Sequence, residues 1–262
     1  MAGPIGSSQY MYSAGAGAFY SHQIEHSVRF EEDASDKISR TPSTSGNQRT
    51  FTVSFWLKRT IITHSGNHMV PFGADAGSSN YWQTRINNSD EFQVAGNGGI
   101  EYIYDPKLRD TQGWSHYLVA YDNTQGTAGN RVKFYINGTQ ITDTSYATAP
   151  SQNFDTAMNQ SGVEHELGIL GYGSDSSDFA GYVAEFILVD GVAHAPTDLG
   201  ESKNGVWIPK DPSGLTFGTN GVHLKFQNAS ALGDDSSGNN NDYAVTNMGT
   251  DHQSLESPTF GE

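Results

Sequence analysis

Cysteine is absent from this chain of 262 residues. That excludes disulfides, thiolate metal sites, iron–sulfur centres and cysteine nucleophiles. Basic residues are scarce: 14 Lys and Arg stand against 29 Asp and Glu, for a formal net charge of -15. Phosphate-led binding of nucleic acid needs clustered cations, and so does adhesion to an anionic membrane. Neither partner is expected. No apolar run approaches the roughly 18 residues of a spanning helix. The opening residues, MAGPIGSSQYMYSAGAGAFY, lack a basic start and an unbroken apolar segment, so a signal peptide is not expected either. A destination outside the cell would need lysis or another route. A helical period of 3.6 is missing as well. The one short turn expected is at Ala195 to Leu199, with a proline early in it.

What is present is glycine, at 30 residues, with a modest hydrophobic fraction of 35 %. This composition fits a compact core carrying long polar loops. The clearest element is RVKFYINGTQI, residues 131–141. Val132, Phe134 and Ile136 point one way; Arg131, Lys133 and Tyr135 point the other, a period of two with one buried face. Asn137-Gly138 then supplies the two positive-φ positions of a tight type I′ hairpin.

The same grammar recurs along the chain. TFTVSFWLKR (50–59) alternates as a central strand, and Trp114 to Tyr121 is another long one. Ser27 to Phe30 is a short strand, with Lys37 to Arg40 expected beside it. Shorter segments fall at 69–72, 81–86, 92–94 and 165–170, and 222–226 is the last clear one. GYVAEFILV (181–189) is apolar on both faces, so both sides should be covered. Many short antiparallel strands with glycine-rich turns mean an all-β sandwich or barrel. Residues 1–24 read as an N-terminal arm, with Tyr10, Tyr12, Phe19 and Tyr20 suited to packing against a partner. Residues 25–262 read as one β domain with a C-terminal extension.

Read together, the strands resemble the laminin G-like branch of the concanavalin A-like lectin/glucanase superfamily. The hairpin Tyr135-Ile136-Asn137-Gly138 carries the likeness, with the later strand holding Phe179, Gly181, Val183, Glu185 and Ile187. The resemblance spans roughly residues 25 to 200. It continues in DDSSGNNNDY (234–243), similar to a segment found near the start of such domains but placed here near the end. It implies a jelly-roll sandwich of two antiparallel sheets. The glycine-rich start, the SVRFE…DKISRTPS opening and the late acidic segment together resemble virion proteins of tailed phages, especially marine ones. That narrower resemblance implies a non-enzymatic virion structural protein: a capsid decoration or a tail or fibre appendage. It would assemble in the host cytoplasm and face outward from the particle. It would attach to other virion proteins through residues 1–24, as a homo-oligomer on the particle. The alternative is a lectin domain binding a glycan or host surface, with or without Ca²⁺.

Superfamily glucanases carry three carboxylates on one strand. Here Glu185 and Asp190 are five apart, facing opposite sides of a regular strand, and Ile187 takes the middle position. Glu164 and Glu166 share a face without a third partner. His64 and His68 lack the context of a zinc helix. Gly96 to Gly99 lacks the Lys and helix of a phosphate loop. No catalytic residue and no resident cofactor are therefore expected. Two readings fit Asp234, Asp235, Asn239 and Asp242: oxygen ligands for Ca²⁺, as the resemblance suggests, or a system of Asx turns. Phe30 to Asp36 is a second acidic loop. Tyr81, Trp82, Tyr102, Tyr104 and Tyr172 lie in or beside loops as candidate sugar platforms. Of Tyr81 and Trp82, which face opposite sides of a strand, one should be core.

Overall fold

The computed structural model describes residues 19–32, 34–62, 68–77, 79–170 and 178–259. Its strands, in chain order, are β1 (Ser27–Phe30), β2 (Lys37–Arg40), β3 (Thr50–Arg59), β4 (His68–Asp75), β5 (Tyr81–Asn87), β6 (Glu91–Gly96), β7 (Ile100–Lys107), β8 (Ser115–Asp122), β9 (Val132–Ile136) and β10 (Thr139–Ile141). There follow β11 (Thr144–Thr148), β12 (Glu164–Leu167), β13 (Gly181–Asp190), β14 (Gly200–Lys203), β15 (Val206–Pro209), β16 (Val222–Leu224), β17 (Ala244–Thr246) and β18 (Gln253–Ser254). The first sheet runs β10-β9-β8-β3-β13-β1-β18, with β16 also on β13; the second runs β11-β7-β6-β5-β4-β12-β2-β17. β14 and β15 form a separate hairpin. The two antiparallel sheets pack face to face as a sandwich. The expected turn after Ala195 is a 3₁₀ turn at Pro196–Asp198.

Alternation fills the space between the sheets with aromatic rings. Phe92 of the second sheet stacks on Phe134 of the first, centroids 4.2 Å apart. Phe72 meets Phe186 at 4.7 Å, and Trp82 stands edge-on to Phe51 at 5.2 Å. Such pairs add about 0.5–1.5 kcal/mol each beyond the area they bury. The first sheet is covered on its outer face too. There Leu118, Ala120, Ile187 and Val189 lie under Leu199 and Phe217 of the C-terminal chain. Trp56 and Ala184 lie under Ile24, with Trp207 of β15 packed against them. β13 is accordingly buried along nearly its whole length, as its two-sided apolar pattern requires.

Several expectations change. β1 and β2 are not neighbours: Val28 pairs with Val183 of β13, and Ile38 with Leu167 of β12. The acidic loop between them is a crossover, so Val28 and Ile38 enter one core from opposite sheets. The chain past Val222–Leu224 pairs with both sheets, β17 on β2 and β18 on β1, one of the two arrangements open to the late acidic segment. Residues 1–18 of the expected arm, with Tyr10 and Tyr12, lie outside the described residues. Its remainder lies against the sandwich: Ser21 Oγ donates to Glu201 Oε1 (2.9 Å) and Ile24 N to Thr259 Oγ1 (2.9 Å).

The β9–β10 turn has the expected geometry, with φ of 47° at Asn137 and 76° at Gly138. Gly138 also lies under Trp207: a Cβ there would sit 2.3 Å from Trp207 Cζ3. Gly138→Ala is expected to destabilise the fold by about 2 kcal/mol, from backbone strain plus displacement of Trp207. The check is the denaturant midpoint, and an unchanged midpoint would refute this packing.

Candidate functional site

The acidic segment near the C-terminus is a knot of Asx turns. Asp235 Oδ1 accepts from His223 N (3.0 Å) and Ser237 N (2.8 Å). Its Oδ2 accepts from Ser237 Oγ (2.7 Å) and Asn241 N (2.9 Å). Those donors occupy the lone pairs of one carboxylate. Asp242 Oδ1 accepts from Asp235 N (2.8 Å), and Asp234 Oδ2 from Asn228 Nδ2 (3.2 Å). Asn239 Nδ2 donates to Gly218 O (2.8 Å) and Gly221 O (3.0 Å), clamping the knot to the loop before β16. The structure thus brings the four residues into one segment but turns each toward a protein partner. In the other acidic loop Asp36 is buried and accepts from Glu31 N (2.9 Å), while Asp33 lies outside the described residues. Among the described residues no group of three or more His, Asp or Glu side chains is arranged to hold a metal ion.

The carboxylates considered for hydrolysis are fixed by ion pairs and backbone groups. Lys37 Nζ donates to Glu164 Oε1 (3.1 Å) and Glu166 Oε1 (3.0 Å). Asp190 accepts from Asn47 N (2.7 Å) and Asn220 N (2.9 Å), tying two loops to the end of β13. Glu185 is not on regular strand. It is the extra residue of a β-bulge between Ala184 and Ile187, with φ 48°. The bulge leaves Val183 and Phe186 in the inner core and Ala184 and Ile187 on the outer face. Glu185 itself is buried rather than solvent-facing, with Oε1 2.5 Å from His223 Nε2 and Oε2 3.2 Å from His22 Nε2. Burial works to raise its pKa, but the hydrogen bonds and charges of His22 and His223 outweigh this and hold it at about 2. A carboxylate so acidic supplies no general acid near neutral pH.

A buried Ser–His pair lies close by, and its protonation runs against nucleophilic use. Trp207 Nε1, a donor only, gives its hydrogen to His116 Nδ1 at 3.1 Å. Burial pushes His116 down to about 3, so the ring is neutral. The proton therefore sits on Nε2 and is donated to Ser54 Oγ, 2.7 Å away. A base that activated Ser54 would have to accept there instead. His165 is likewise neutral, lowered by burial to about 4, accepting from Asn159 N and donating to Val163 O. His64 lies outside the described residues.

The aromatic candidates are mostly core. Trp82 is fully buried and Tyr81 half-buried, as the alternation required. Tyr102 and Tyr104 are not loop residues: with Ile100 they form the inner row of β7, centroids 6.1 Å apart. Tyr172 lies outside the described residues.

A polar depression is found instead on the outer face of the second sheet. In β5, Trp82, Thr84 and Ile86 point inward, so Gln83, Arg85 and Asn87 point outward. In β6, Phe92 and Val94 face the core and Gln93 faces out, opposite Arg85. Glu101 of β7 lies on the same face. His68, Arg85, Asn88, Ser89, Gln93 and Glu101 line a depression of about 340 Å³, with Asn87 at its edge. Arg85 is mostly buried there. Its Nε donates to Gln93 Oε1 (2.6 Å), its Nη2 reaches Glu101 Oε1 at 3.4 Å, and neither bond uses Nη1. Burial lowers the Arg85 pKa against the opposing pull of Glu101, a mark of a desolvated guanidinium. Sequence reasoning passed over this surface. The signal that could have found it is the polar half of the alternation in YWQTRIN and EFQV.

A laminin G family model described as the concanavalin A-like lectin/glucanases superfamily matches residues 33–196, more than half of the chain. No curated protein sequence matches. Among solved structures, a protein of Bacteroides ovatus proposed to bind carbohydrate aligns with TM-score 0.56 and 16 % identity, over 87 % of this chain and 61 % of that one. The heptameric SAP-like pentraxin of Limulus polyphemus aligns at TM-score 0.47 and 11 % identity, over 68 % and 82 %. Domains LG4–5 of the mouse laminin α1 chain align at 0.44 and 13 %, over 63 % and 41 %. At these identities the likeness is one of fold.

The buried Glu185 cluster gives a pH signature. Glu185, depressed to about 2, stabilises the fold above its ordinary value of 4.5 and loses that contribution as pH falls toward 2. For His22 burial lowers the pKa, but the Glu185 carboxylate outweighs it, and the value stands above 6.5. Its contribution is complete below 6.5 and lost as pH rises through the folded value. Glu185→Gln is expected to cost about 3 kcal/mol. The deficit against the native chain should be largest between pH 4.5 and 6.5 and shrink on either side. Urea denaturation across pH 3–9 measures it, and a pH-independent deficit would contradict the ion-pair account.

Proposed function

The chain belongs to the concanavalin A-like lectin/glucanase superfamily, and from that premise we propose that it is a non-catalytic domain binding saccharides on the outer face of its second sheet. Arg85 carries the reading. A mostly buried guanidinium with unused N–H donors faces an open depression, beside the Gln93 amide and the Glu101 carboxylate. Planar donors and acceptors held at fixed spacing suit hydroxyl groups and anionic substituents of a sugar. The support lies in rigidity as well as chemistry. The site sits on adjacent strands, and a preformed strand surface loses little entropy on binding.

Catalysis has no support in the same residues. Ile187 stands where a glucanase strand would need a carboxylate, Glu185 is held by two histidines, and Ser54 accepts rather than donates its hydrogen bond with His116. Calcium has no part in the proposed site, because the acidic knot lies in another segment and the Asp235 oxygens already accept from protein donors. A place on a phage particle rests on the resemblance of the N-terminal and late acidic segments to virion proteins. In that setting the saccharide face would point to the medium, and attachment would fall to residues 1–24.

A glycan array followed by calorimetry on the best hit tests the saccharide reading. Arg85→Ala is expected to weaken binding at least tenfold while leaving the melting temperature within a few degrees, and EDTA should leave affinity unchanged. No saccharide bound by the native chain, or an Arg85→Ala variant that binds as well, would sink it. Fixed stoichiometry of the chain in purified virions tests the particle setting separately.

A further inference from the structure

The C-terminal chain covers the outer face of the first sheet over β3, β13 and part of β8, but beside Ala120 and the outward row of β9 the cover is incomplete. There an opening of about 280 Å³ remains, and nothing in the reading of the Arg85 surface uses it. Its floor follows from register. Lys133 of β9 lies opposite Ala120 of β8, and Tyr135 opposite Leu118. Since Val132 and Phe134 point into the core, Lys133 and Tyr135 point outward. Ala120 is small, and across it pass Ala193, His194 and Ala195. Alanine methyls and one face of the half-buried Tyr135 ring make the apolar walls; Asn130, Gln125 and Lys133 make a polar rim.

Both bordering loops are locked. Thr52 Oγ1 donates to Val192 O (2.8 Å) and accepts from His194 N (2.8 Å), and His194 Nδ1 lies 2.8 Å from Asp198 Oδ2. On the other side Asp122 Oδ1 accepts from Thr124 N (3.1 Å) and Thr124 Oγ1 (2.5 Å), and Oδ2 from Gln125 Nε2 (2.5 Å). That carboxylate is engaged within its own loop. Other groups are not: Lys133 takes part in no ion pair among the described residues, and neither the Tyr135 hydroxyl nor the buried His194 Nε2 has a hydrogen-bond partner among them. Partial burial raises the Tyr135 pKa.

A rigid apolar wall bearing one aromatic face, with unengaged donors along one rim, matches a pyranose ring. Its C–H face packs on the phenol and its hydroxyls meet the rim. With a lysine and an aspartate both at the rim, neither sign of charge prevails, so the ligand is a neutral sugar. We infer that the opening between Tyr135, Lys133 and the 193–195 loop is a second saccharide site, selective for neutral pyranosides and separate from the Arg85 surface. With sites on opposite sheets, one chain could bridge two glycans and gain avidity on a multivalent surface.

The test is an amide-resolved NMR titration of the full chain with methyl α-D-glucopyranoside and methyl β-D-galactopyranoside, in the millimolar range typical of a weak single-sugar contact. At least one is expected to give saturable shifts at Tyr135, Ala193 and Ala195. Tyr135→Ala should weaken that binding at least tenfold, Lys133→Ala at least threefold, and Tyr135→Phe less than threefold. Arg85→Ala should leave it unchanged. The lysine substitution keeps the test open if loss of the Tyr135 ring disturbs the fold. Absence of saturable shifts at these residues with both probes overturns the site. So does a response abolished by Arg85→Ala, which would assign the sugar to the other surface. Loss of glycan binding at Arg85 with these shifts intact would mark the failure of that reading alone.

Discussion

Burial of the first sheet on both faces is the constraint from which most of the molecule follows. β3 and β13 lie side by side at its middle, with aromatic rings of the second sheet on one face and the C-terminal chain on the other. Strands covered on both sides leave no water for polar side chains, so every polar group there needs a protein partner. Ser54 finds His116, His116 finds Trp207, and Glu185 finds two histidines. These arrangements resemble catalytic machinery in composition. They are better understood as the satisfaction of polar groups under a lid, with protonation states fixed by burial rather than poised for transfer.

The same constraint decides where binding can occur. A face occupied by Leu199, Trp207 and Phe217 leaves an opening at its margin, beside Tyr135. On the second sheet a polar depression remains over β5 and β6, although Gln83 and Gln93 of its outward row are themselves buried. Charge sharpens the contrast. In a chain with net charge -15, Arg59 is engaged with Asp90, Lys37 with Glu164 and Glu166, and Arg49 with Asp155. Arg85 Nε pairs with the neutral Gln93 amide and its Nη2 with Glu101, and Nη1 has no hydrogen-bond partner among the described residues.

Strands that alternate were legible, and those that break the pattern were not. TFTVSFWLKR and RVKFYINGTQI stand where their alternation puts them, and the Asn-Gly turn has the expected positive φ angles. β7 forms where Tyr102 and Tyr104 are expected in or beside loops, because Gly98-Gly99 before it and Pro106 within it interrupt the local pattern, although Ile100, Tyr102 and Tyr104 carry a clean period of two. β14 and β15 are short and mixed in composition, and their role depends on Trp207 reaching Gly138 and His116 far away in the chain. The bulge at Glu185 has no local signal. It exists because Val183 and Phe186, an odd number of residues apart, must both face inward.

By itself the sequence determined the class of fold, the central strands, the hairpin and the lack of a carboxylate triad, because these depend on period, turn chemistry and spacing along the chain. Only the tertiary structure decided which faces are open. It buried Tyr102 and Tyr104, closed Glu185 between histidines from distant segments, and left Arg85 and Tyr135 at accessible surfaces. The physical reason is that exposure in a sandwich is settled by what packs on each sheet. Here the packing comes from the C-terminal chain, whose contacts with β3, β8 and β13 span more of the sequence than any local pattern can encode.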